Sequence, residues 1–275
     1  METAVTRKAL ILLVLSLALP ALAQAQAQHP NMLLREHSLS VRVSQASFDY
    51  GAGKEDIDGL LIGPSVSYTY HDAFYPLMVR GEAELLFGIT DYDNGVSANS
   101  REVIFDGRGI VGYDILFHDN LVLTPYTGLA LRYWSNNVHS SDARDQTQTY
   151  FYIPLGAETQ SSLMPSVDFG TRAELDLLVD GWTTTDFHGT NGRRGEAIND
   201  LDFGYGLRLS AYITKQFEAV GLGLEPFFRY WNVNGGDGDW VRNPDITGGA
   251  TPGFEKYGTP HSTTVIWGAN LFVQF

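Results

Sequence analysis

Two short stretches hold the residue types best suited to breaking a bond. Asp91 and Asp93 flank Tyr92, and Asp186 stands two residues before His188. A histidine oriented by a nearby carboxylate can act as general base toward a water, and an opposing pair of carboxylates can hold and polarise that water. Such a set could activate a water for hydrolysis, and an acidic rim would draw cationic molecules to it. The chain carries 32 Asp and Glu residues, however, so three-residue patterns of this kind arise easily. Solvated loop residues are the simpler reading, and no catalytic residue is favoured.

Other constellations carry less. Residues 232–239 are rich in oxygen ligands and glycine but lack EF-hand spacing, so a flexible turn is expected there. His139 and His261 have no neighbouring ligand pattern, and residues 189–194 lack the strand-loop-helix context of a phosphate-binding loop. Neither a metal nor a cofactor is expected. The absence of cysteine removes disulfides and thiolate sites. A net charge of −14 argues against nucleic acid as a partner.

The elements that must position these residues are strands, because the chain alternates with a period of two. In residues 168–180, Phe169, Thr171, Ala173, Leu175, Leu177 and Val179 face one way, and Asp168, Gly170, Arg172, Glu174, Asp176, Leu178 and Asp180 the other. A soluble core could not sit on the second face. The same count gives ten candidate strands at 38–50, 60–71, 77–90, 101–117, 121–134, 149–161, 166–182, 199–214, 221–233 and 262–275. The first alternates least cleanly. Strands of about 13 residues, tilted by about 40°, are tall enough to cross a hydrocarbon layer of about 25 Å. Short turns near 72–76, 118–120, 162–165 and 215–220 alternate with longer polar connections, as in transmembrane barrels with short periplasmic turns. The fold expected is therefore all-β: an antiparallel, up-and-down transmembrane β-barrel of ten strands. A soluble sandwich would also alternate, but it would not place Tyr68, Tyr70, Phe117, Tyr133, Trp134, Trp182, Tyr230 and Trp231 near strand ends, as an interfacial girdle does.

The N-terminus reads as an export signal at 1–23: Arg7 and Lys8, an apolar run at 9–19, and a small-residue cleavage site at Ala21, Leu22 and Ala23. That run is too short to span a bilayer as a helix. A periplasmic segment at 24–36 and the barrel at 37–275 would follow. Loss of Glu2, Arg7 and Lys8 with the signal would leave 16 basic residues against 31 acidic ones, a net charge of −15.

The inferred inward face carries Arg42, Arg80, Arg108, Arg132, Arg172, Arg208 and Arg229 with Glu82, Glu84, Asp106, Asp114, Glu158, Asp168, Glu174, Asp176, Asp180, Asp202 and Glu225. Ten strands enclose a bore that such side chains largely fill, whereas open aqueous channels belong to barrels of about 16 strands. Guanidinium forks can satisfy the carboxylates, which makes the lattice structural and a wide pore unexpected. A narrow, charge-selective conduit is the alternative.

In the last strand Val265, Trp267, Ala269, Leu271, Val273 and the terminal Phe275 share one face. Ending on an aromatic residue in that register, the strand resembles the assembly signature of bacterial outer-membrane barrels. The resemblance implies that Trp267, Leu271, Val273 and Phe275 are read by the barrel-assembly machinery. Leu123-Thr124-Pro125-Tyr126-Thr127-Gly128, residues 152–156 with Glu158, and residues 225–231 are similar to segments of a broad group of proteobacterial outer-membrane barrels of no settled function. The likeness implies a Gram-negative outer-membrane location amid lipid and lipopolysaccharide. There Arg193 and Arg194 would meet lipopolysaccharide phosphates or solvent. Activity does not transfer with architecture. Ten strands and the placement of Asp91, Asp93, Asp186 and His188 in loops also resemble the omptins, outer-membrane proteases, and that likeness implies the hydrolytic site described above. The expectation is a small barrel that is structural or acts through its long loops.

Overall fold

The computed structural model describes residues 34–95, 97–118, 120–138, 144–188, 193–218, 220–236, 238–246 and 253–275. The expected export signal, His139 and residues 189–192 lie outside them. The described chain is strand and turn: β1 (His37–Ala52), β2 (Glu55–His71), β3 (Leu77–Asp93), β4 (Ser97–Tyr113), β5 (Ile115–His118), β6 (Leu121–Val138), β7 (Arg144–Met164), β8 (Val167–His188), β9 (Arg194–Asp200), β10 (Gly204–Gln216), β11 (Gly221–Val233), β12 (Asp239–Arg242), β13 (Phe254–Tyr257) and β14 (Ser262–Gln274).

Ten of these form the wall of a closed barrel. Each of β1, β2, β3, β4, β6, β7, β8, β10, β11 and β14 pairs antiparallel with the next, and β14 returns to β1 with Val41 opposite Val273. Phe275 completes the seam, donating its N–H to Leu39 O at 2.8 Å. Closure leaves no unpaired edge, the condition for a sheet in hydrocarbon. The short β5 continues β4 beside β6, β9 continues β10 beside the end of β8, and β12 with β13 forms a hairpin in the last connection.

The ten strands fall where alternation puts them, yet most run further than expected. β1 and β2 meet in a turn at Gly53 and Lys54, with Gly53 at φ 63°, a left-handed conformation that glycine adopts without strain. Stretches read as long polar loops are thus largely hairpins rising from the barrel. Below them the outward face is an apolar belt: Leu129, Ile89, Leu271, Leu60 and Trp267 are 60–73% exposed. Surface of that extent is stable against lipid rather than water.

The imperfect alternation of β1 records an exchange of its apolar side, while the neighbouring strands carry the belt a little further, with Leu60 and Trp267 both opposite Ser47. Up to Val43 the apolar residues, Leu39, Val41 and Val43, lie on the outward register while Ser38, Ser40 and Ser44 point inward. From Ala46 the pattern inverts: Ala46, Phe48, Tyr50 and Ala52 are buried inside, and Gln45 and Asp49 are exposed. The apolar side turns outward where lipid bathes the wall, and inward where water does.

Candidate functional site

The middle of the bore holds an arginine–carboxylate lattice that includes Arg80, Glu82, Glu84, Asp106, Arg108, Glu158, Arg172, Glu174, Asp176, Arg208 and Arg229. Strand register creates part of it, setting Glu82 opposite Arg108, Glu158 opposite Arg172 and Glu174 opposite Arg208. The rest crosses the lumen. Arg80 on β3 grips Glu158 on β7 with two nitrogens at 2.5 and 2.6 Å. Arg172 on β8 reaches Glu82 on β3 at 3.1 Å, and Arg108 on β4 binds both Glu82 and Glu174. Arg208 on β10 joins Asp106 at 2.6 Å and Asp176 at 2.8 Å, and Arg229 on β11 pairs with Glu84 on β3. Arg42 stands 3.5 Å from Glu225. Paired forks of this kind satisfy charges whose isolated burial would be prohibitive. Arg132 is 3% exposed and sits opposite Asp106, but its Nη1 has no hydrogen-bond partner.

Above the lattice the bore is apolar, which the expectation of a charge-lined interior did not include. Phe48, Tyr50, Ile57, Leu61, Leu86, Ile104, Trp134 and Phe227 form one buried cluster, and Tyr150, Tyr152 and Trp231 part of another. Trp134 packs on Tyr50 at 4.4 Å between ring centroids, and Trp231 on Tyr152 at 5.1 Å. Trp134 and Trp231 are therefore core residues, not girdle residues; Tyr68, Tyr133 and Phe117 are exposed as a girdle requires. Among the aromatic residues Glu102 is fully buried, accepting hydrogen bonds from Ser100 and Trp134 at 2.6 Å, Asn136 at 2.7 Å and Thr90 at 3.1 Å. At the top Arg144 binds Glu55 at 2.7 Å and lies over Tyr257, whose other neighbours are Phe187 and Arg193. Arg193 also pairs with Glu255 at 2.6 Å, and that bond holds the Glu255 carboxyl below the usual range.

At the short-turn end the lattice forms the inner wall of a vestibule of about 660 Å³. Its walls include Ser38, Ser40, Ser67, Thr69, Thr214, Tyr212 and Phe272. A gap of about 70 Å³ among Arg42, Glu82, Arg172 and Glu225 lies beyond it, beneath Phe227. The hydroxyl-bearing walls were missed by counting charges. Their signal was the pairing of two small-polar doublets, Ser38 with Ser40 and Ser67 with Thr69, which face each other across β1 and β2.

Of the residues weighed for hydrolysis, Asp91, Asp93 and Asp186 lie on two different strands and are exposed. Asp91 and Asp93 lie on β3, exposed on the outward face, while Tyr92 between them points inward and bonds Glu55 at 2.9 Å. Asp186 is also exposed, paired in register with Asp145 and Glu196. His188 is the last residue of β8. The cause of the outward placement of Asp186 is a β-bulge at Val179: Phe151 pairs with Asp180 and Tyr152 with Leu178, so Val179 is an extra residue and the faces exchange beyond it. Asp180, expected in the lumen, is exposed for the same reason, and Asp202 is exposed in the break before β10.

No protein-family model matches the chain, and no curated protein is similar to it in sequence. Solved structures are similar in fold. The outer membrane protease OmpT of Escherichia coli superposes with a TM-score of 0.58 over 87% of this chain and 96% of its own, at 9% identity. The outer membrane protein OprG of Pseudomonas aeruginosa gives 0.40 over 86% and 95%, at 9% identity, and the toluene transporter TodX of Pseudomonas putida 0.35 over 92% of each, at 8%. The chain has the fold of Gram-negative outer-membrane β-barrels.

Proposed function

We propose that this chain is an exported outer-membrane barrel with a closed lumen, which acts through the water-facing extension above its apolar belt. The observation that carries this reading is the double obstruction of the bore. An ion-paired lattice lies below, and a close-packed aromatic core lies above it. In the proposed orientation the short turns and both termini face the periplasm, and the hairpins of β1 with β2 and β3 with β4, together with the far ends of β7 and β8, face outward. The signal at 1–23 directs export, the last strand from Trp267 to Phe275 is presented to the assembly machinery, and lipopolysaccharide surrounds the belt. Similarity to OmpT in fold supports a barrel of this height and closure. The outward placement of Asp91, Asp93 and Asp186 gives no support to an omptin-like protease.

Single-channel recording of the refolded protein in planar bilayers tests the reading, with folding verified by heat-modifiable migration. No steady current is expected; a stable unitary conductance would replace this reading with the narrow conduit. Cleavage of a dibasic fluorogenic peptide by the same preparation, abolished in His188→Ala, would restore the protease.

A further inference from the structure

We infer that the vestibule at the short-turn end is a binding chamber for a small, neutral, hydroxyl-rich solute of the saccharide or polyol class. Its volume of about 660 Å³ lies within the range of small-molecule sites, typically about 300–1,000 Å³. The wall chemistry selects the class. Buried hydroxyls of Ser38, Ser40, Ser67, Thr69 and Thr214 line the chamber, and hydroxyls both donate and accept. The formal charges on the walls nearly cancel, because Arg35, Arg42, Arg80 and Arg172 stand against Glu158, Asp168 and Glu225. No strong field of one sign remains to select an ion.

Among the described residues, two buried polar atoms on this wall lack a hydrogen-bond partner: Thr214 Oγ1, on a residue 1% exposed, and Arg42 Nε, which stands 3.5 Å from Glu225 without bonding it. A solute hydroxyl can satisfy both kinds of atom, whereas an aliphatic ligand would leave them unmet. The chamber also has an aromatic side. Tyr212 and Phe272 meet edge to face at 6.5 Å, and each ring is seated against a glycine. A Cβ at Gly170 would lie 2.3 Å from the Tyr212 ring, and one at Gly223 would lie 2.1 Å from the Phe272 ring. The glycines draw both rings back to the wall, keeping the space open and presenting flat apolar surface to the C–H face of a sugar.

The test is calorimetric titration of the refolded chain in detergent micelles with trehalose, maltose, sucrose and glycerol, and with phosphate and citrate as anionic comparators. Saturable one-to-one binding of at least one neutral probe is expected. Thr214→Val should weaken it about five-fold, the loss of one hydrogen bond. Gly170→Ala, which pushes the Tyr212 phenol into the chamber, should abolish it. If Gly170→Ala does not fold, Ser40→Phe fills the same space from β1. Failure of all four neutral probes, binding that survives both the hydroxyl and the filling variants, or preference for citrate or phosphate would overturn the inference. Because the assay needs neither a membrane nor an orientation, its failure is distinct from failure of the closed-lumen reading.

Discussion

Arg208 on β10 donates from Nη2 to Asp106 Oδ2 at 2.6 Å, linking opposite walls of the barrel through its centre. The same guanidinium holds Asp176 at 2.8 Å and stands 3.4 Å from Glu174, which Arg108 binds, so two carboxylates depend chiefly on one cation. Removing one partner of a buried pair leaves the other uncompensated, at roughly 3–5 kcal/mol. Arg208→Met should therefore destabilise the barrel by about that amount. Asp106→Asn should cost less, because Arg208 keeps two acidic neighbours. Urea unfolding in lipid vesicles measures both, and equal effects would show that the carboxylates do not share the cation as the geometry indicates.

The lattice and the aromatic core obstruct the bore independently. Arg108→Ala with Glu82→Ala should open a path only as far as Phe227 and the cluster around Trp134 and Tyr50. The double variant is expected to pass no steady current in planar bilayers. Adding Trp134→Ala and Tyr50→Ala is expected to produce one. Conductance from the lattice variant alone would place the barrier at the ion pairs.

Much of this architecture was legible from alternation. The strands around Phe169, Leu207, Leu224 and Trp267 keep one medium on each face through the belt, so period two located them and put Arg80, Glu82, Arg172 and Glu174 inside. Partners across the bore were not legible, since Arg208 meets Asp106 through curvature and stagger that no local pattern records. Nor was the core above the lattice: an apolar residue at alternate positions has the same pattern whether lipid lies outside, as at Val43, or a core lies inside, as at Phe48.

Outside the barrel, carboxylates stack across β1, β2 and β3. Asp58 lies directly opposite both Asp49 and Asp91, and Asp56 lies opposite Asp93. Like charges in direct cross-strand register are destabilising. Asp58→Asn should stabilise the protein by roughly 0.5–1 kcal/mol at low ionic strength, with the gain shrinking in 0.5 M salt as screening replaces it. Urea midpoints at two salt concentrations measure this; a variant less stable than the parent would mean that the carboxylates are held by bonds of their own.

The β12–β13 hairpin should loosen in acid. Arg193 bonds the Glu255 carboxylate at 2.6 Å, and Asn243 donates to it at 2.7 Å, holding its pKa below the ordinary 4.5. A depressed folded-state pKa contributes stability that is fully present above the unfolded value. That stability is lost as pH falls through the folded value. Amide protection factors in residues 239–246 and 253–257 should therefore fall more below pH 4.5 than in Glu255→Gln, which lacks the titrating group. Parallel pH profiles in the two proteins would assign the acid sensitivity elsewhere.

Val179 sets which way the end of β8 faces. Because Tyr152 pairs with Leu178 and Phe151 with Asp180, one residue carries the whole exchange of faces. It places Thr183, Thr185 and Phe187 inside and Asp186 outside. A one-residue slip in a strand sends every side chain to the opposite face. Deleting Val179 should carry Asp186 toward the interior and expel Phe187 from its contact with Tyr257 at 4.9 Å. The apolar cluster of Phe187, Ala197, Val241 and Tyr257 would then be lost, while the membrane belt, whose register with β10 lies below the bulge, would persist. The expected result is a deletion variant that inserts and shows heat-modifiable migration, yet is cut by added protease between residues 180 and 257 while the parent resists. A protease-resistant variant would mean that β7 takes up the slip with a compensating bulge, and that Val179 is not what orients Asp186.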